Sequence, residues 1–412
     1  MTEKEKVPKL RFPEFQDAGE WEFKPLKKLA KRQSNRNAGQ AVTRVLTNSA
    51  EHGVVDQRDY FEKDIATQGN LEAYSVVQHG DYVYNPRISS LAPVGPIGKN
   101  KVGVGVMSPL YTVFRFTGGA DSFYEHYFRS TYWHSYLRYA SNSGARHDRM
   151  AISNDDFMLM PLPAPEPAEQ QKIAECLSSL DVLIAAETEN LAALRDHKKG
   201  LMHQLFPAEG ETTPSLRFPE FEAAGEWGVK QLSCCIDLVS GLHLSPDEYA
   251  EIGEIPYFSG PSDFTNEVAC VNKWTNKTAN VAIESDILIV VKGSGVGDFW
   301  RLSVPRVAIG RQLMAIRVVR GSSEFLYQSM VAKGGRLKSR ASGNLIPGLA
   351  RPDILEMPLL FPPRVAEQEK IAECLSSVDL LIGAAVEALA ALKAHKNGLM
   401  QQLFPSPVEA VA

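Results

Sequence analysis

Two short polar loops hold the side chains of this chain best suited to chemistry. In ASNSGARHDRM (140–150), preceded by Arg138, the cations Arg146, His147 and Arg149 stand among serine, asparagine and glycine. KSRASGNLIPGLAR (338–351) sets Lys338, Arg340 and Arg351 in the same company. Small residues let a backbone approach a phosphate, while arginine and asparagine make paired hydrogen bonds to guanine and adenine edges. YNPRISS (84–90), VKGSGVGDFWR (291–301) and IGRQL (309–313) likewise place Arg or Lys beside Gly, Ser or Gln after strand-like runs. The candidates for phosphate or base contacts are Arg87, Arg146, Arg149, Lys292, Arg311, Lys338 and Arg340, with Ser143, Gln312 and Asn344 as base-edge readers. Each loop alone reads as well as a solvated turn; its place in both halves of the chain favours nucleic acid. Trp300 and the tyrosines of 122–139 read as core rather than as stacking platforms.

No catalytic signature competes with that reading. GPIGKN (95–100) lacks the first glycine of a phosphate loop, and GSGVG (293–297) is not followed by a helical pattern, so neither nucleotide fingerprint holds. Tyr84, Asn85 and Pro86 echo the Asn-Pro-Pro-Tyr loop of amino-methyltransferases, but Arg87 stands where the second proline belongs. The nine histidines form neither HxxxH nor HExxH, and Cys176, Cys234, Cys235, Cys270 and Cys374 make no CxxC pair. The cysteines read as reduced and structural, and no metal or cofactor is expected on this chain.

At 412 residues the chain exceeds what one hydrophobic core serves, so two or more domains are expected. Its 44% hydrophobic and 23% charged residues are those of an ordinary globular protein, not a disordered one. No apolar run reaches the roughly 18 residues of a membrane helix. The start, MTEKEKVPKL, lacks the apolar core of a signal peptide. The expectation is a cytoplasmic protein without a membrane partner. A net charge of −5 argues against a uniformly basic coat, although local charge is enough to bind nucleic acid.

What positions the loops is a tandem duplication. AEQQKIAECLSS (168–179) returns as AEQEKIAECLSS (366–377), HKKGLMHQLFP (197–207) as HKNGLMQQLFP (395–405), and LRFPEF occurs at 10–15 and 216–221. Residues 168–207 and 366–405 share 29 of 40 positions, whereas about 25–160 and 231–360 share almost no alignable letters. One part of the repeat is held fixed while the other is free to differ.

The fixed part reads as a long helix. Ile173, Leu177, Leu180, Ile184, Leu191 and Leu194 fall at alternating spacings of four and three, as do Ile371, Leu375, Val378, Ile382, Leu389 and Leu392. This is the a/d pattern of a coiled-coil seam. Each helix follows a proline-rich stretch and ends at LFP, with Pro207 or Pro405 as terminator. Some 37 helical residues span roughly 55 Å. The narrow stripe favours two helices packed antiparallel on each other over two helices each buried in its own domain. Glu187 and Lys198, with Ala385 and Lys396, interrupt the seam, as register markers, as positions that face a partner subunit, or as snorkelling side chains.

The variable parts contain β-rich runs, GVGVMSPLYTVFRF (103–116) and VAIESDILIVVKGSGVG (281–297), followed by the helical stretches 122–139 and 324–340. The expected fold is α+β: two recognition domains separated by two long helices packed as an antiparallel coiled coil, with an internal pseudo-twofold repeat. The boundaries are 1–164 for the first recognition domain, 165–207 for the first spacer helix, 208–362 for linker and second recognition domain, and 363–412 for the second spacer helix and tail.

This combination of alternating variable and repeated segments, EQxKIAxxLSxxD openings, HKxGLMxQLFP closings and LRFPEF lead-ins resembles the specificity subunit of type I restriction-modification systems over nearly the whole chain. The resemblance implies a non-catalytic, DNA-binding subunit whose two target recognition domains each read half of a bipartite sequence in double-stranded DNA. The helices would set the gap between the halves. It further implies two modification subunits that methylate adenine N6 with S-adenosylmethionine, restriction subunits that use ATP with Mg2+, and a role in phage defence. Three other readings stay open: a protein-binding adaptor, a DNA enzyme with an unrecognised site, and the specificity subunit of another restriction system.

Overall fold

A computed structural model describes residues 6–60, 71–119, 121–141, 148–277, 280–293, 295–333, 335–341 and 348–405. The chain forms two compact units, Met1–Glu187 with Ala388–Ala412, and Thr188–Glu387. The division falls inside the two long helices, Pro167–Leu205 and Val365–Leu403, not at the linear boundaries 164/165, 207/208 and 362/363. Each unit therefore takes the opening of one helix and the closing of the other.

Within each unit the two helical segments run antiparallel. In unit 1, Glu169 is bound to Arg11 while the preceding residue, Leu10, bonds Gln402, and one end of the contact lies there. Twelve residues further along, Asp181 is paired with Lys396. Unit 2 repeats this: Glu367 with Arg217, Leu216 with Gln204, and Asp379 with Lys198 at 2.6 Å. None of the expected seam residues is exposed; Leu177 and Leu375 are fully buried. The lysines that interrupt the pattern are neither snorkelling nor idle, since both are half-buried or buried and both hold a carboxylate of the facing helix.

The variable parts, unalignable as letters, share one strand order. Unit 1 has an antiparallel sheet in the order Ala30–Gln33, Thr112–Phe116, Tyr82–Tyr84, Ile97–Lys99. Unit 2 has Ile236–Ser240, Leu313–Val318, Ile287–Val290, Phe299–Arg301, again all antiparallel. A short ladder before each long helix is also duplicated, Glu22–Pro25 with Pro161–Ala164 and Gly228–Gln231 with Pro358–Phe361. The other sheets differ. Unit 2 has four strands, Trp274–Thr275, Ile255–Phe258, Arg306–Ile309 and Val281–Ile283, where unit 1 has two separate two-stranded ladders among the described residues.

The main core of each unit is closed by the end of the other repeat's helix. Met400, Leu403 and Phe404 join Trp21, Phe123 and Leu177 in unit 1, while Leu205 and Phe206 join Trp227, Phe325 and Leu375 in unit 2. Phe404 lies 5.4 Å from Phe123 and Phe206 lies 5.7 Å from Phe325, measured between ring centroids. This accounts for the invariant LFP closing, because leucine and phenylalanine there are core residues of a unit formed by a distant part of the chain. The aromatic stretch 122–139 breaks into Asp121–Phe128 and His134–Ala140. Ser130 Oγ donates to Tyr127 O and Trp133 Nε1 to Phe128 O, so side chains satisfy the carbonyls that a continuing helix would use.

The second long helix contains an 18-residue window of mean hydropathy 1.8, so by length and composition alone it would pass for a membrane span, contrary to the sequence expectation. Within it Asp379 is engaged, accepting from Lys198 and from Gln328 Nε2 at 2.9 Å.

Candidate nucleic-acid interface

The loops are held by a device present in both units. The residue before the third strand of each main sheet is a buried aspartate, Asp81 or Asp286, preceded by a backbone of positive φ at Gly80 (87°) or Ser285 (70°). Asp81 accepts from Gln78 N at 2.8 Å and from Arg115 at 2.6 Å; Asp286 accepts from Ile283 N at 2.9 Å and from Arg317 at 2.7 Å. The carboxylate thus closes the turn and ties it to the neighbouring strand, which aims the residues at the strand's far end. Only the paired Asp and Arg letters could have signalled this, and without a known register they are invisible.

At that far end unit 1 brings Arg87 and Arg149 together in an isolated antiparallel bridge. Met150 N donates to Pro86 O at 2.8 Å and Ile88 N to Asp148 O at 3.1 Å, so the two loops support each other. Arg87 is exposed; Arg149 is half-buried, with Nη2 3.4 Å from Asp148 and Nε without a partner. The Arg149 hydrogen bond holds the Asp148 carboxyl below the usual range. The bridge borders a cleft of about 520 Å³ also lined by Asn85, Ser89, Tyr60 and Tyr111. Gly95 is required beside Asn85, because a Cβ there would come 2.1 Å from Asn85 O.

Unit 2 builds the same junction from different letters. Lys292 bridges Gly348, Leu349 N donates to Val291 O at 2.9 Å, and Val291 N donates to Gln312 O at 2.8 Å. Lys292, Arg311 and Gln312 are therefore neighbours on one exposed rim. Lys338 and Arg340 are exposed too, but engaged: Lys338 Nζ lies 2.7 Å from Asp298, and Arg340 Nη1 donates to Asp353 O at 3.3 Å. Arg351 donates to Leu238 O and Ser240 Oγ, a structural role. Ser143, Arg146 and Asn344 lie outside the described residues. Trp300 is half-buried against Phe264, and Tyr124 and Tyr127 are buried as core residues, whereas Tyr132 and Tyr136 are half-buried and Tyr139, contrary to the core reading, is exposed. Among the described residues no cluster of His, Cys, Asp and Glu could hold a metal.

A second duplicated feature fixes the helix openings. Arg11 grips Glu169 with Nε and Nη2, both at 2.7 Å, and Trp21 Nε1 adds a bond at 3.1 Å. Arg217, Glu367 and Trp227 repeat it at 2.7, 2.8 and 3.2 Å. Both glutamates are fully buried. The repeated LRFPEF letters carry these arginines, although the sequence alone gave them no role.

Two units of one strand order present different cationic and amide side chains at the same rim, so the module is duplicated and its rim is not. Comparison with known proteins agrees. Residues 225–392 match the family described as type I restriction modification DNA specificity domain. The chain is 27% identical over 243 residues to a protein described as the MjaX type I restriction enzyme specificity subunit of Methanocaldococcus jannaschii, covering 57% of this chain and 56% of that one. It is 25% identical over 246 residues to the MjaVIII type I specificity subunit of the same organism, covering 55% and 57%. The chain thus spans a little over half the length of the curated relatives it matches. The fold is similar to that of a type I restriction-modification S subunit from M. genitalium, with a TM-score of 0.65, 15% identity, and 98% and 100% of the two chains covered. The chain is thus similar to specificity subunits of type I restriction-modification systems, and residues 225–392 match their specificity domain.

Proposed function

We propose that this chain is the sequence-reading, non-catalytic subunit of a type I restriction-modification enzyme, acting in the cytoplasm. Each unit reads one half of a bipartite double-stranded DNA target, and the long helices, related by pseudo-twofold symmetry as a coiled coil, set the unspecific gap. The observation that carries this reading is the junction built twice on one topology with different letters: Arg87 with Arg149 in unit 1, and Lys292 with Arg311 and Gln312 in unit 2. A shared scaffold with divergent base-edge chemistry suits two unlike half-sites.

Two modification subunits carrying S-adenosylmethionine would supply adenine N6 methylation, and restriction subunits using ATP and Mg2+ would supply cleavage. Recruitment of two copies of one partner is supported by a duplicated apolar pair left in solvent, Val182 and Leu183 in unit 1 and Leu380 and Leu381 in unit 2, 52–76% exposed. The test is a genome-wide map of N6-methyladenine with and without this gene. Loss of one bipartite, asymmetric motif is expected on deletion. An unchanged map, with the modification partner shown to be expressed, would refute the reading and favour a protein-binding adaptor.

A further inference from the structure

Register places an unlike residue at the position of Gln312 in unit 1. The residues after the two buried aspartates, Ile287 and Tyr82, pair with Ile316 and Phe114 at the same point of the same strand order. Counting back four residues from each partner gives Gln312 in unit 2 and Leu110 in unit 1. Leu110 is 58% exposed, at the apex of a turn in which Tyr111 N donates to Ser108 O at 3.0 Å.

A second turn of the same make faces the same cleft. In Ser89-Ser90-Leu91-Ala92, Ala92 N donates to Ser89 O at 3.2 Å and Ser89 N to Ala92 O at 3.0 Å, and Leu91 is 69% exposed. Both turns have leucine as third residue, a position that turns give to glycine, asparagine or other polar residues. Both leucines line the cleft beside Arg87 and Arg149. The backbone around Leu91 is tied at its base by the Arg87–Arg149 bridge, so it is held out of the core by fixed geometry.

We propose that Leu91 and Leu110 are specificity-determining residues that contact thymine 5-methyl groups in the half-site read by unit 1. Thymine offers the major groove's one apolar group, which aliphatic side chains contact, and the flanking arginines supply the phosphate or guanine contacts that seat a duplex on this rim. Unit 2, with Arg311 and Gln312 at the corresponding turn, reads by hydrogen bonds instead. The inference rests on the DNA-reading function proposed above.

The experiment selects duplexes from a random pool with the full chain, then remakes the enriched half-sites with deoxyuridine at each thymine, which deletes only the 5-methyl. At least one replacement in one half-site should weaken binding about fourfold, the worth of one buried methyl group. Leu91→Ala or Leu110→Ala should bind thymine and deoxyuridine duplexes alike. The proposal is overturned if both enriched half-sites bind equally well with deoxyuridine, or if the deoxyuridine effect is the same in both variants as in the parent. Failure to enrich any sequence would instead overturn the DNA-reading function, and the leucine assignment with it.

Discussion

Acidification should destabilise unit 1 through one histidine. His126 is 2% exposed, with Nε2 3.0 Å from Ser178 Oγ and Nδ1 3.8 Å from Asp181 without a hydrogen bond. Burial, then the cations Lys396 and Arg129, push its pKa down to about 4, against the smaller opposing pull of Asp181 and Glu125. Unfolded, it titrates at about 6.5. Above pH 6.5 the imidazole is neutral in both states and stability is unaffected; below it the unfolded chain takes up the proton first, so stability falls from there down to about pH 4. At pH 5 the loss is on the order of 2 kcal/mol. The carboxylate beside it does not confuse the window, because Asp181 is held below the usual range by Lys396 and Arg129, and its own contribution is lost only at lower pH. Gln328 occupies the corresponding place in unit 2 and bonds Asp379, so His126→Gln is the natural control. Urea unfolding at pH 7.5 and pH 5, with hydrogen exchange followed on peptides from 121–128 and 167–187, reads unit 1 separately. An equal loss in parent and His126→Gln would refute the argument.

Lys396→Met should destabilise unit 1 by about 1–3 kcal/mol, since Asp181 loses a charged hydrogen bond; Lys198→Met should do the same to unit 2, and urea midpoints measure both. Arg11→Met leaves the buried Glu169 without its ion pair and should cost about 3–5 kcal/mol, most of it recovered in Arg11→Met with Glu169→Leu. If the double variant is as unstable as the single one, the clamp is not the reason. For DNA binding, Arg311→Ala should relax one target position at a cost of about 1–3 kcal/mol, whereas Lys292→Ala should weaken all sequences alike and lower the salt slope by about one. An unchanged affinity and motif for Arg311→Ala would remove it from the interface.

The sequence by itself determined the parts that repeat or alternate. Identical letters 198 residues apart exposed the duplication, four–three spacing gave the seam, and prolines marked the helix ends at Leu205 and Leu403. Lys198 and Lys396 were visible as anomalies, but their meaning needed the facing helix, because a carboxylate 181 or 215 residues away has no local signature. Tertiary structure also decided which helix end completes which core: Phe404 belongs with Trp21 and Phe206 with Trp227, a pairing that no periodicity encodes. The candidate rim was half legible. Small polar residues around Arg87, Arg149, Lys292 and Arg311 marked loops, yet their neighbours were set by strand register, which brought Arg87 to Arg149 and Gln312 to Val291. Register depends on backbone hydrogen bonds common to every residue type, so two segments without alignable letters fold to one strand order, and only the folded chain shows Leu110 standing where its other half has Gln312.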